Sequence, residues 1–198
     1  MINNQDFAST LKAVLKNRSP RRLGDEYTHY APAAVLVPIF RINGKYHLLF
    51  TKRAPRVKYH QGHISFPGGV VDRTDRSPEE TALREADEEI GLLKTDVDIL
   101  GPLDEALTFV PPFRVHPFVG LIPHPYTFDI SPKEVEKIVD APLDFFISLD
   151  SRGDMFDAEF EPGLYFPEYR YRGELIWGTT AGIVANFVAI LKQRSIHV

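Results

Sequence analysis

The chain has 198 residues, 43% hydrophobic and 25% charged, an ordinary balance for one domain that buries a real core. A formal net charge of −4 offers no broad basic surface to nucleic acid or anionic lipid, so a ligand rich in phosphate must be met by local cations or metal ions. The absence of cysteine excludes disulfides, thiolate nucleophiles and Cys-based zinc sites.

Met1 to Lys16 lacks the charged start, apolar run and small-residue cleavage site of a signal peptide. No stretch approaches the ~18 uninterrupted apolar residues of a membrane span, so no membrane association and a cytoplasmic location are the expectations. Apolar residues at helical spacing (Phe7, Leu11, Val14, Leu15) predict a short first helix, broken by Ser19-Pro20-Arg21-Arg22. Residues 33–40 and 46–51 are β-rich, and Asn43-Gly44 between them suits a tight hairpin turn. Pro38 places an edge or a bulge in the first of these strands. His63 to Phe66 reads as a short strand running into Pro67-Gly68-Gly69.

The clearest helix covers 78–90. Ser77 is its N-cap, Pro78 suits the first turn, Glu80 completes a capping box and Gly91 supplies the stop. Residues 97–100 and 115–122 read as strands, 132–139 as a short helix opened by Ser131 and Glu134, and 145–149 and 174–177 as strands. A final amphipathic helix spans 179–193. Strands alternating with helices predict an α/β layered domain.

The chemistry is concentrated in two segments, Gly68-Gly69-Val70-Val71-Asp72 and Arg84 to Leu92. On a helix, Glu85, Glu88 and Glu89 fall within an arc of about 100°, while Leu83, Ala86 and Ile90 form a separate apolar stripe. Three like charges on one arc repel, and Arg84, four residues before Glu88, is placed to partner it and leave Glu85 and Glu89 free. Oxygen-only ligands of this kind suit hard cations such as Mg²⁺ or Mn²⁺. The glycine pair either makes a turn or lets backbone amides approach a phosphate closely.

This composite resembles the Nudix box, a pattern of G, five residues, E, seven residues, then R-E-U-x-E-E-x-G-U, with U apolar. Every fixed position from Arg84 through Leu92 matches, whereas the stretch from Gly69 to Arg84 is one residue longer than standard. A second match lies upstream. Leu49-Phe50-Thr51-Lys52-Arg53-Ala54, Gly62 and Phe66-Pro67-Gly68-Gly69, followed by Asp72 and Asp75, resemble the signature of the coenzyme A pyrophosphatase branch. Phe50 there replaces a leucine and Lys58 an arginine, and Ile176-Trp177-Gly178 also looks like that branch.

The resemblance implies an α/β/α sandwich with a mixed sheet and a loop-helix-loop catalytic motif at about 69–92. It implies one Nudix hydrolase domain over 1–198, with residues 1–30 as an N-terminal helical extension. The implied activity is divalent-metal-dependent cleavage of coenzyme A, or an acyl-CoA, to adenosine 3′,5′-bisphosphate and 4′-phosphopantetheine. Carried over residue by residue, Glu85 and Glu89 are metal ligands, with Glu88 a further ligand or the partner of Arg84; Glu85, Glu88 and Arg84 form the catalytic group. Arg53 and Lys58, within the basic cluster Lys52, Arg53, Arg56 and Lys58, join Gly68 and Gly69 as substrate-binding candidates.

The general base varies among branches, and Glu134 and Glu136 both remain candidates. His60 and His63 read as hydrogen-bonding residues rather than ligands, and Phe109, Phe113 and Phe118 as core. Family members often pair into homodimers. Two alternatives stay open, a pyrophosphatase for ADP-ribose, NADH or another nucleoside diphosphate derivative, and a silent nucleotide-binding module. Retention of all three box glutamates speaks against the second.

Overall fold

The computed structural model describes residues 4–57, 59–152, 158–161 and 164–196. An eight-stranded mixed sheet forms its centre, built from β1 (Ala31–Ile42), β2 (Lys45–Arg53), β3 (Ile64–Ser65), β4 (Gly68–Val70), β5 (Asp98–Pro102), β6 (Ala106–Phe109), β7 (Pro112–Leu121) and β8 (Val135–Pro142). The order β3-β2-β1-β7-β5 forms its spine; β4 pairs with β1, β6 with β7 and β8 with β2. Among the described strands of this sheet only β1 and β7 run parallel. Helices α1 (Asn4–Asn17), α2 (Pro78–Ile90), α3 (Leu143–Arg152) and α4 (Gly178–Gln193) cover the sheet. Two small antiparallel pairs, β9 (Ala158–Glu161) with β10 (Leu164–Phe166) and β11 (Tyr169–Tyr171) with β12 (Glu174–Ile176), complete the described elements.

The side-chain alternation of β1 divides the interior into two cores. Ala33, Val37 and Ile39 join Phe7, Leu11 and Leu15 of α1, Phe146 of α3 and Phe187 of α4. Ala34, Leu36 and Phe40 meet Ala82, Ala86 and Ile90 of α2 on the other face. One helix on one side and three on the other make the sheet the middle layer of a sandwich. The alanines of α2 let that helix sit close against β1, with Glu85 against Gly69 of β4 and Glu89 beside Arg53 at the end of β2.

Asn43 and Gly44 have φ of 48° and 88°, the left-handed pair that a two-residue hairpin needs. Pro38 is on an interior strand, not an edge, and its register with Gly120 of β7 is unbroken. On its other side β1 changes partner, pairing with β4 through residue 35 and with β2 from residue 39. The Leu36 N–H on that side bonds Pro67 O at 2.9 Å. Two residues on, the missing N–H of Pro38 falls in the fork, where no ladder bond is lost.

Two sequence-based assignments are overturned. Residues 135–142 form strand β8, not a helix: Ser131 and Glu134 make a single turn (Glu134 N–H to Ser131 O, 3.1 Å), after which β8 pairs along nearly all of β2. Residues 145–149 lie in helix α3, where Leu143 and Phe146, three apart, are fully buried.

Leu11 is fully buried, so α1 contributes to the same core as the sheet. Leu11→Ala is expected to cost about 2–5 kcal/mol, read as a lower urea midpoint with unchanged slope. A loss below about 0.5 kcal/mol, the usual range for a surface change, contradicts that packing.

Candidate active site

Helix α2 begins as its cap residues dictate. The Glu80 N–H donates to Ser77 Oγ at 3.2 Å, and Glu80 Oε2 accepts from the Arg76 N–H at 2.8 Å, one residue earlier than a standard capping box. Gly91 (φ 65°) ends the helix and donates to Asp87 O at 2.8 Å. The three box glutamates then diverge in environment. Glu89 is 2% exposed, Glu85 is partly buried, and the side chain of Glu88 is 57% exposed.

Arg84 is the hub of the acidic face. Its Nε and Nη2 donate to Asp75 Oδ1 and Oδ2, both at 3.0 Å, and its Nη1 donates to Glu85 Oε1 at 2.8 Å and Glu88 Oε2 at 3.0 Å. Val70 O accepts a further bond at 3.3 Å. Arg84 therefore partners Glu88, but Glu85 is not left free. The bidentate pair is the strongest geometry open to a guanidinium and carboxylate. Asp75 also accepts from the Asp72 N–H (2.9 Å) and Thr81 Oγ1 (2.8 Å). Arg84 foremost among these donors holds the Asp75 carboxyl well below its ordinary range. The extended Asp72–Asp75 spacing thus builds a buckle that fixes Arg84.

Glu89 is the electrostatic anomaly. Its Oε2 is buried without a hydrogen-bond partner among the described residues, and Arg53 Nη1 stands 3.9 Å from Oε1. Burial pushes its carboxyl up to about 8, against the attraction of Arg53 and the Gly68 N–H and with repulsion from Glu85 and Glu134. Burial raises Glu85 as well, opposed by Arg84 and aided by Glu88 and Glu134.

Two backbone bonds bring Glu134 here. The Ser131 N–H bonds Glu89 O at 2.9 Å, and the Ala54 N–H bonds Glu134 O at 2.8 Å, so the turn before β8 is pinned between α2 and the end of β2. Glu136 instead faces Lys52, at 3.8 Å.

The glycine pair does more than turn the chain. A Cβ on Gly69 would lie 2.4–2.6 Å from the Glu85 carboxylate atoms, and one on Gly68 would lie 2.4 Å from Ala34 O. Gly69→Ala must therefore displace Glu85. An expected fall of about 100-fold in kcat, from misplacement on the scale of an ångström, is checked by steady-state kinetics beside a thermal melt. Unchanged kcat rules out the close approach as a functional constraint.

Among the basic cluster, only Arg53 meets a box glutamate in a described ion pair. Lys52 is engaged by Glu174 (3.4 Å) and Glu136 (3.8 Å), Arg56 is exposed on the turn, and Lys58 lies outside the described residues. Arg53, Gly68 and Gly69 also form one wall of a cavity of about 580 Å³. His60 and His63 line it, the His63 ring 5.0 Å from that of Trp177.

Phe109 and Phe113 line this cavity too, rather than serving only as core, while Phe118 packs on the α2 side. The cavity escaped sequence reading because the β6–β7 hairpin, β3 and α4 converge only in three dimensions. A second cleft of about 450 Å³, lined by Arg41, Tyr46 and His124, sits by the β1–β2 hairpin.

Among the described residues no three acidic or histidine side chains are gathered closely enough to make a finished cation cage. The donor set nevertheless fits a hard cation: all-oxygen, mutually repelling, with one buried carboxylate oxygen unpartnered. No helix among the described residues is long and apolar enough to cross a membrane.

The NUDIX domain family matches residues 29–151. The chain is 39% identical over 186 residues to a Nudix hydrolase NudL of Photorhabdus laumondii, covering 93% of this chain and 95% of that one. It is 33% identical over 195 residues to a NudL of Klebsiella pneumoniae, covering 98% and 97%.

Among solved structures, an Ap4A hydrolase of C. elegans superposes with a TM-score of 0.53 at 20% identity, covering 82% of this chain and 98% of that one. A MutT/nudix family protein of Enterococcus faecalis gives 0.55 at 13%, covering 93% and 69%. At such identities the structures establish the mixed α/β fold alone. The sequence matches carry the assignment: the chain belongs to the Nudix hydrolase family and is a Nudix diphosphatase, an enzyme of a kind that generally uses divalent metal.

Proposed function

We propose that this enzyme hydrolyses the diphosphate bond of coenzyme A or a coenzyme A thioester, releasing adenosine 3′,5′-bisphosphate and the 4′-phosphopantetheine half. The observation that carries the hydrolytic reading is Glu89, a buried carboxylate with an unpartnered oxygen, beside Glu85 and Glu134 and facing Arg53. The choice of coenzyme A rests on the motif from Leu49 to Gly69, whose Arg53, Phe66, Gly68 and Gly69 stand around one cavity next to the box.

In this reading Glu85 and Glu89 hold Mg²⁺ or Mn²⁺, and Glu88 is a further ligand or remains with Arg84. The bound cation supplies charge neutralisation of the diphosphate and a more acidic water. Arg53 binds a phosphate oxygen, and Gly68 and Gly69 let it approach the backbone. Glu134 receives the proton of the attacking water; its proximity to Glu85 and Glu89 favours it over Glu136, which is paired with Lys52. The water oxygen bonds to one phosphorus, the anhydride P–O bond breaks, and the bridging oxygen leaves on the other phosphate. Residues 1–198 act as one Nudix unit in this scheme, supported by the burial of α1 in the common core.

The test is a substrate panel of coenzyme A, ADP-ribose, NADH and Ap4A with Mg²⁺ or Mn²⁺, products separated by chromatography. Coenzyme A is expected to have the highest kcat/KM and to yield both halves. Preference for ADP-ribose by a large factor in kcat/KM removes the coenzyme A assignment. No turnover of any substrate removes the catalytic one.

A further inference from the structure

The cleft at the β1–β2 hairpin contains a cation that the fold leaves unanswered. Among the described residues, the partly buried arginines are Arg18, Arg41, Arg53, Arg84 and Arg114. Four of them face a carboxylate: Arg18 meets Asp104, Arg53 meets Glu89, Arg84 meets Asp75 and Arg114 meets Glu105. Arg41 forms no ion pair among the described residues, and its Nε is buried there without a hydrogen-bond partner. The hairpin's other basic side chains are paired, Lys45 with Asp144 at 3.5 Å and His47 with Asp140 at 2.7 Å. A buried donor without an acceptor is costly, and a guanidinium fork matches the oxygens of a carboxylate or phosphate.

The guanidinium is nonetheless braced. Arg41 and Tyr46 are directly opposed in the β1–β2 register, and Arg41 Cζ lies 5.9 Å from the centre of the Tyr46 ring. Tyr46 stacks in turn on Phe7 of α1, ring centres 4.1 Å apart.

Beyond this pair, β1 outruns β7. Their last paired residues are Ile39 and Leu121, and Ile39 O accepts from the Ile122 N–H at 2.9 Å. Two residues on, strand alternation turns the Arg41 main-chain N–H the same way, past the end of β7. Leu121, Ile122 and His124, whose ring stacks on Phe40 at 5.3 Å, line this space with Arg41, Gly44 and Tyr46. Its volume of about 450 Å³ is that of a small-molecule site, roughly 300–1,000 Å³, rather than of a bare ion.

We propose that this cleft is a second binding site, for a small molecule carrying a phosphate or carboxylate on an apolar body. The oxyanion meets the guanidinium of Arg41 and the imidazole of His124, while Tyr46, Leu121 and Ile122 cover the body. The site is separate from the catalytic centre. Val35, which pairs with Gly68, and Arg41 are six residues apart on β1, a span of about 20 Å. The proposal is independent of which diphosphate the enzyme cleaves.

The metal-free full-length protein is to be titrated by calorimetry with phenyl phosphate and with benzoate, beside phenol as the uncharged control. Saturable binding of at least one anion is expected, and none of phenol; the tighter anion identifies the oxyanion preferred. Arg41→Met keeps an apolar stem beside Tyr46 and should weaken that anion about 10- to 100-fold, the scale of hydrogen bonds to a charged group. Arg41→Lys, with the charge but no planar fork, should weaken it less and supplies the test should Met disturb the hairpin. Both variants are expected to turn over diphosphate substrate at the parent's rate.

Arg53→Met, at the catalytic end, should leave the anion's affinity unchanged. Absence of saturable binding by either anion overturns the proposal, as does affinity that neither Arg41 variant alters. Binding abolished by Arg53→Met also overturns it, because the anion then sits at the catalytic centre.

Discussion

Glu89→Gln is expected to lower kcat by at least about 100-fold while leaving the metal-free protein as stable as the parent, or more so. The metal-site loss is scaled from substitutions around bound metals. The stability half follows from the burial that pushes the Glu89 carboxyl up to about 8: at neutral pH the isolated protein holds it mostly protonated, and Gln presents a similar uncharged shape.

A divalent cation changes the balance, because it favours the ionised carboxylate and binds only the folded chain. Mn²⁺ at about 100 times its Kd should stabilise the parent by about 2.7 kcal/mol, and the variant by little. Thermal melts with and without Mn²⁺, beside steady-state kinetics, check both halves. A fully active variant, or one with the parent's metal-induced rise in Tm, refutes Glu89 as a ligand. Glu85→Gln provides the comparison. It should also lose turnover by orders of magnitude, but it alters the Arg84 network that Glu89 does not touch.

How far this arrangement was legible in sequence depended on whether its signals were local. Helix α2 was readable because Ser77, Pro78, Glu80 and Gly91 mark both ends and the apolar stripe has one period; the structure keeps these ends and shifts only the Glu80 side-chain bond, to the Arg76 N–H. Ser131 and Glu134 carry the same capping spacing, yet they make only one turn. Pairing of β8 with β2, remote in sequence, outweighs local preference there.

Phe145 to Leu149 failed for the opposite reason. Five mostly apolar residues fit either period, and the helix was decided by Leu143 and Phe146 packing into the core. At the site, the closeness of Glu85 and Glu89 on one face of α2 was legible from their helical spacing. The split of Glu134 from Glu136 needed the turn pinned by Ala54, and the role of Asp75 needed the loop closed back on Arg84. No linear spacing encodes either closure.

The closure at Asp75 has a measurable pH signature. Arg84 and the other donors depress the Asp75 carboxyl in the folded chain, so the folded state binds fewer protons there than the unfolded one. Stability from this group is therefore complete above the unfolded carboxylate range, near 3.8, and declines as pH falls through that value toward the lower folded one. Asp75→Asn removes the charge and should cost about 2 kcal/mol at pH 7, the scale of a hydrogen bond to a charged group.

The gap between parent and variant should then narrow below pH 4; comparing the two cancels the contributions of the other carboxylates. Arg84→Lys separates anchoring from charge. A lysine keeps the positive charge but cannot bridge Asp75 through two parallel bonds while also reaching Glu85, Glu88 and Val70 O. Activity is expected to fall about 100-fold through a displaced Glu85, with kcat affected more than KM. If Arg84→Lys retains kcat, or if the Asp75→Asn gap is the same at pH 3 as at pH 7, the buckle is ornamental. The acidic face must then be held by α2 alone.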